Sequence, residues 1–284
     1  MIESPRNMVD DILVVDCHNH ANYCYHGYSQ MIEDMDRNNI AKTWILTCEI
    51  PMSDWEHQSA NSVCIFTEKA QMPFENAVRY KEKCPERFVL GYSPDPRDPF
   101  ALDKLDAAVH TYGVQVCGEW KHRVMFDNPD AVEIYKYCGE NGIPVLVHLD
   151  YPVYKEKVFP RKHYWYGGGI GPFERALEQC PETVFIGHAP GFWRHFYAGD
   201  KVPELMRKYP NLYCDISAGS GHDALSRDIE FTKAFIAEFS DRILHGRDNF
   251  TSKHQALIRN MDISEDSKRK ILGENAMNLL CKSK

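Results

Sequence analysis

Ten cysteines occur in the 284 residues, yet no two are spaced as Cys-x-x-Cys. That argues against a structural zinc knuckle or a dithiol redox motif. No apolar run approaches the ~20 residues of a membrane span. The N-terminal Met-Ile-Glu-Ser-Pro-Arg-Asn-Met lacks the basic-then-apolar pattern of a signal peptide. A reduced, cytoplasmic setting is expected, with no membrane partner. Positive charge is also scarce: 33 Lys and Arg face 41 Asp and Glu, a net charge of −8. General nucleic-acid or anionic-membrane binders need a basic field, which this chain does not carry. A local Lys/Arg cluster can still hold a small anionic substrate. No linker, low-complexity tract or sequence repeat breaks the chain, so residues 1–284 read as one domain.

What the chain does contain is alternation. Short apolar, β-branched runs fall at 12–18, 43–48, 87–93, 114–120, 143–148, 183–188, 211–217 and 242–247. Amphipathic stretches near 28–39, 59–83, 100–111, 129–141, 172–179, 201–208, 223–239 and 264–281 read as helices. Near-continuous apolar strands imply burial on both faces, as in a parallel sheet covered by helices. Eight βα units predict an α/β fold closed as a (β/α)8 TIM barrel. An open doubly wound sheet is the runner-up. It would carry a Gly-rich phosphate loop after its first strand, where this chain reads His-Asn-His. Loops at 49–58 and 149–171 are unusually long; in a barrel, lids and substrate contacts live in such loops.

Chemistry-bearing side chains gather at the strand ends. His18 and His20 are two apart on the first strand and share a face. His148 ends the fifth strand, His188 the sixth, and Asp248 follows the eighth. All strand C-termini of a barrel share one rim, so four imidazoles and a carboxylate can converge there. Neutral imidazole and carboxylate suit zinc and similar divalent ions. Asp16, in register with His18, is a candidate partner for an imidazole N–H, with a structural role at the barrel floor as the alternative. His122, His195 and His222 follow strands and are further candidates for the pocket. His26, His57, His110, His163 and His254 read as ordinary helix or loop residues, and His245 has the parity of an outward-facing side chain. Cys48, Cys117 and Cys214 sit inside apolar runs and read as core.

The ordered set Val-Asp-Cys-His-Asn-His (15–20), Val-Leu-Val-His (145–148), Phe-Ile-Gly-His (185–188) and His-Gly-Arg-Asp (245–248) resembles the amidohydrolase superfamily, in its amidohydrolase-2 branch. Asn-Leu-Tyr-Cys-Asp-Ile-Ser (211–217) resembles its seventh strand, and Lys-Ile-Leu-Gly-Glu-Asn-Ala (270–276) its closing helix. The resemblance implies a distorted barrel with a divalent metal, zinc first and manganese or another ion next, in one or two copies. His18, His20, His188 or His148, and Asp248 would form the metal shell. Some superfamily members bridge two ions through a Glu or a carbamylated Lys on the fourth strand. Here Glu119 is the candidate and Lys121 its alternative; Cys117, Glu119 and Lys121 are expected to share a face.

Asp248 would move a proton to and from water and the leaving group, and His188 or His148 would stabilise the developing oxyanion. Trp120, Lys121, Arg123, Tyr151, Trp165, Trp193 and Arg194 follow strand ends and are the candidate substrate contacts. Aromatic walls with a few cations suit a small organic carboxylate. The expected activity is hydrolysis of a C–O or C–N bond. Non-oxidative decarboxylation on the same scaffold is the alternative, and a non-catalytic ligand-binding barrel is a third reading. A nucleobase-type deaminase fits less well, because Asn249 follows Asp248. Assembly is left open, with a homodimer the commonest case.

Overall fold

The structure is a computed structural model. It describes residues 12–23, 26–47, 72–150, 167–197 and 199–280, and the backbone of 153–154 and 163–164. Parallel strands form where the apolar runs predict them. They are β1 (Val15–Asn19), β2 (Lys42–Ile45), β3 (Phe88–Leu90), β4 (Cys117–Trp120) and β5 (Val145–His148). A short antiparallel pair, β6 (Val153–Tyr154) and β7 (His163–Tyr164), occupies the long segment after β5. The parallel set resumes with β8 (Phe185–His188), β9 (Leu212–Asp215) and β10 (Ile243–Leu244).

The strands pair as β1-β2-β3 and as β10-β9-β8-β5-β4. A parallel bridge between Gly91 and Val116 joins β3 to β4. On the other side the Cys17 N–H donates to the His245 carbonyl at 2.9 Å, and the Asp248 N–H to the His18 carbonyl at 2.8 Å. These contacts bring the first and last strands together as a TIM barrel requires.

The two-sided apolar pattern has a direct structural meaning. Val15, Trp44, Leu46, Val89, Val116, Leu146, Ile186 and Leu244 pack together in the lumen, where Ala276, Leu279 and Leu280 close the floor. Alternate residues such as Ile45, Phe88, Val145, Val147, Phe185 and Ile243 face the helices. The expected helix over 223–239 is two helices, Ala218–Arg227 and Ile229–Phe239. Asp228 makes the break, because its carboxylate accepts from the Phe231 N–H at 3.0 Å and caps the second helix. The closing helix carries a π turn at Lys270–Glu274, and its Ile271 carbonyl accepts from the His245 N–H at 2.9 Å.

Two irregularities reposition the rim. In β1, Asp16 pairs with Thr43 and Asn19 with Ile45, so Cys17 and His18 together stand opposite Trp44. In β4, Cys117 pairs with Val145 and Trp120 with Val147, leaving Gly118 and Glu119 opposite Leu146. An extra residue of this kind switches which face the following side chains occupy. Asp16 and His18 therefore part company, as do Cys117 and Glu119, contrary to strict two-residue alternation. Asp16 turns to the buried Arg247, accepting from its Nε at 2.9 Å and its backbone N–H at 2.9 Å. Arg247 Nη1 donates to Asp34 on the helix Tyr28–Arg37 at 2.6 Å. Asp16 is thus a partner of Arg247, and the imidazole of His18 finds a different carboxylate.

Candidate metal centre

His18, His20, Glu119, His148, His188 and Asp248 come together at the C-terminal mouth, although five separate segments supply them. Three overlapping sets have donor atoms within 4.8 Å of one another: His18, His20 and Glu119; His18, His188 and Asp248; and Glu119, His148 and His188. Parallel pairing places His148 and His188 side by side on β5 and β8. The bulges deliver His18 and Glu119.

The rings are held from behind. His18 Nδ1 lies 2.6 Å from Asp215 Oδ2. His20 Nδ1 donates to the Leu46 carbonyl at 3.0 Å. His188 Nδ1 lies 3.0 Å from Ser217 Oγ. Anchoring Nδ1 leaves Nε2 of each ring for the centre. Glu119 is the hub: its Oε1 is 3.8 Å from His18 Nε2, 3.9 Å from His188 Nε2 and 2.5 Å from His148 Nδ1. Its Oε2 is 3.6 Å from His20 Nε2. Asp248 Oδ1 lies 3.8 Å from His18 Nε2 and 3.4 Å from His20 Nε2.

These residues fit a divalent ion on two counts. Buried His18 Nε2 and Glu119 Oε2 have no hydrogen-bond partner among the described residues, although both face the centre. Separations of 3.4–3.9 Å between donors also suit atoms that share an ion at about 2.0–2.2 Å. Charge points the same way. Three carboxylates, Glu119, Asp215 and Asp248, are gathered here, and among the described residues the fixed cation beside them is Lys121, 3.9 Å from Glu119. Burial opposes ionisation of Glu119, but Lys121 and His148 hold its carboxyl well below the usual range. Burial likewise opposes the charge on Asp248, and His18 and His20 pull it down to about 2. For His18, burial is outweighed by Asp215 and Asp248, which raise the ring to about 9. Burial pushes His188 down to about 3, with the neighbouring His18 adding to the effect.

The backbone is strained next to two of these groups. Asp248 has φ 52°, a left-handed conformation that Asp tolerates better than most residues. Ala189, directly after His188, has φ 79° and ψ 174°, a region that glycine usually occupies.

The other expected residues are placed as follows. Lys121 is buried beside Glu119 and contributes its ammonium. Trp120 is not a pocket wall: it is fully buried in the helix layer against Tyr135, because the β4 bulge sends it outward. Trp193 is buried as well, and its indole N–H donates to the Asp215 carbonyl at 3.0 Å. Arg123 is partly buried and Arg194 exposed. Tyr151 and Trp165 lie outside the described residues, as do Cys48, His57 and the loop 49–58. His122 meets Ser93 Oγ at 3.0 Å, His195 meets Asp200, and His222 packs on His254. None of these three belongs to the donor sets. His245 is buried, and its Nδ1 donates to the Val15 carbonyl at 2.8 Å. Asp215 and Ser217 had no role in the sequence reading. Their signal was an Asp and a Ser two apart at the end of a strand whose neighbours all end in candidate ligands.

A family model described as Amidohydrolase matches residues 15–281. No curated protein matches the chain. Solved structures share its fold. An uncharacterized TIM-barrel protein from Bordetella bronchiseptica superposes with a TM-score of 0.64 at 15% identity, over 96% of this chain and 99% of that one. The 5-carboxyvanillate decarboxylase of Sphingomonas paucimobilis gives 0.63 at 14%, over 96% and 100%. A dihydroxybenzoic acid decarboxylase from Polaromonas sp., with bound manganese and the inhibitor 2-nitroresorcinol, gives 0.61 at 14%, over 95% and 97%.

Proposed function

Because the chain belongs to the amidohydrolase family, we propose that it is a metal-dependent hydrolase acting on a C–O or C–N bond of a small, carboxylate-bearing organic substrate. The observation that carries this reading is Glu119. Its Oε1 faces His148, His188 and His18, and its Oε2 faces His20, so the one carboxylate touches rings from all three strands that carry them. A carboxylate so placed suits two ions side by side, and a paired site clamps both the attacking and the leaving oxygen of a displacement.

In this reading His18, His20 and Asp248 would hold one ion and His148 and His188 another, with Glu119 available to either. Zinc is the proposed ion, with manganese as the substitute. A bound divalent ion supplies Lewis acidity that brings the pKa of water down to about 7. Asp248, with its side chain 18% exposed, reaches both the buried rings and the open mouth. Its depressed pKa keeps it ionised, ready to take a proton and return it to the leaving group. Lys121 offers the substrate carboxylate an ammonium, and Arg123 and Arg194 add positive charge at the rim.

Decarboxylation of an aromatic or unsaturated acid is the second reading. It is favoured by the likeness to the two decarboxylases, one of which is described with manganese. The two readings separate in one experiment. Protein of measured metal content is incubated with lactones, esters and amides, and with aromatic acids, in 18O-labelled water. Label entering the product carboxylate supports hydrolysis. Release of CO2 from an aromatic acid, with no label in the organic product, replaces hydrolysis with decarboxylation.

A further inference from the structure

We propose that Asp215 and Ser217 form a positioning relay that fixes the His188 ring as its Nδ1–H tautomer and ties His188 to His18 through one carboxylate oxygen. Ser217 Oγ donates to Asp215 Oδ2 at 2.8 Å. An ionised carboxylate only accepts, so the single hydroxyl proton is committed to that bond. At its other contact, 3.0 Å from His188 Nδ1, the same oxygen is therefore the acceptor and the ring must donate. Direct contact between His188 Nδ1 and Asp215 Oδ2 is longer, 3.4 Å, so the hydroxyl is the shorter link. Asp215 Oδ2 also accepts from His18 Nδ1 at 2.6 Å. One oxygen thus orients two rings from different strands, one directly and one through Ser217.

The carboxylate is itself clamped. The Ser217 N–H donates to Asp215 Oδ1 at 2.7 Å, and the Trp193 indole holds the main chain behind it by donating to the Asp215 backbone carbonyl at 3.0 Å. Asp215 and Ser217 are fully buried, so water does not compete for these bonds. The chain runs His188 Nδ1–H to Ser217 Oγ–H to Asp215 Oδ2, and it leaves the His188 Nε2 lone pair aimed at Glu119. The relay's effect on ion affinity rests on the proposed metal centre, whereas its effect on the ring tautomer does not. Neither residue touches substrate; both act through the rings.

The test uses metal-free protein with 15N-labelled histidine, read by long-range 1H–15N correlation, with His188 assigned from a His188→Gln variant. The wild type is expected to show His188 with its proton on Nδ1. Ser217→Ala is expected to show a mixture that includes the Nε2–H form. In a competition titration that variant should also bind zinc about 10–100-fold more weakly. A proton on Nε2 in the wild type overturns the relay, and this measurement needs no variant to fold. An unchanged tautomer and unchanged zinc affinity in Ser217→Ala overturn it too. Wild-type protein that binds no zinc overturns the metal centre instead, and the tautomer spectrum still judges the relay.

Discussion

Two buried charge clusters lie on opposite sides of β1, and residues one or two apart in sequence help to build them. Asp16 and Arg247 turn to one side, His18 and Asp248 to the other. Behind the strand, Arg247 is matched by Asp16 and Asp34, with Asn19 donating a further hydrogen bond to Asp16 at 3.0 Å. That cluster is built around its own cation, although two carboxylates face the one guanidinium and Arg247 Nη2 has no partner among the described residues. At the mouth, three carboxylates gather around imidazoles and one lysine, and inward-facing donor atoms have no partner among the described residues. A cluster with a guanidinium fixed at its centre is architecture. A cluster short of positive charge, with its donors aimed at a common gap, fits a cation.

The comparison breaks most decisively at the mouth. His18→Ala combined with His20→Ala should remove the metal outright, measured by emission spectroscopy. Zinc added to the wild type at 1,000 times its Kd should stabilise the fold by about 4 kcal/mol, and should leave the double variant's melting temperature unmoved. Equal zinc stabilisation in both proteins would show that the mouth is not the receptor. Asp248→Asn should lower turnover about 10²–10⁴-fold while retaining most of the metal, because Asn tolerates the left-handed backbone but cannot carry the proton. Wild-type turnover in that variant would take Asp248 out of proton transfer.

On the other side of β1, Arg247→Ala should cost about 3–5 kcal/mol in urea unfolding, because it leaves Asp16 and Asp34 buried without their cation. A change below about 1 kcal/mol would mean that water already screens this cluster, and the contrast with the mouth would blur. The smallest effect belongs to Ala189. Glycine there should raise stability by about 1 kcal/mol by relieving the unfavourable backbone beside His188. A stability loss on the same unfolding curve would remove strain from the description of that strand end.

Much of this architecture was legible in the chain itself. Strands with both faces apolar could only be central to a helix-covered sheet, and histidines ending the fifth and sixth runs could only reach one rim. The bulges were not legible, because strict alternation has no term for an extra residue. That is why Asp16 was assigned to an imidazole, whereas Trp120 was placed in the pocket only for standing at a strand end. Trp193 misled for a related reason: residence just past a strand end does not say whether a ring points into the mouth or under it. Asp215 and Ser217 stayed silent because a lone Asp-x-Ser is common, and its meaning depends on which rings the closed sheet sets beside it. The split at Asp228 was readable in hindsight, since Asp followed by an apolar run is an ordinary helix start.

The hydrogen bond from the Asp248 amide to the His18 carbonyl is where the sheet joins its own beginning. The residue expected to shuttle protons is therefore also a rivet in that joint. Any opening between the first and last strands swings the carboxylate away from His18 and His20 at the same moment. Amide exchange at Asp248 would then report, in one signal, how often the cylinder unzips and how often the catalyst is switched off.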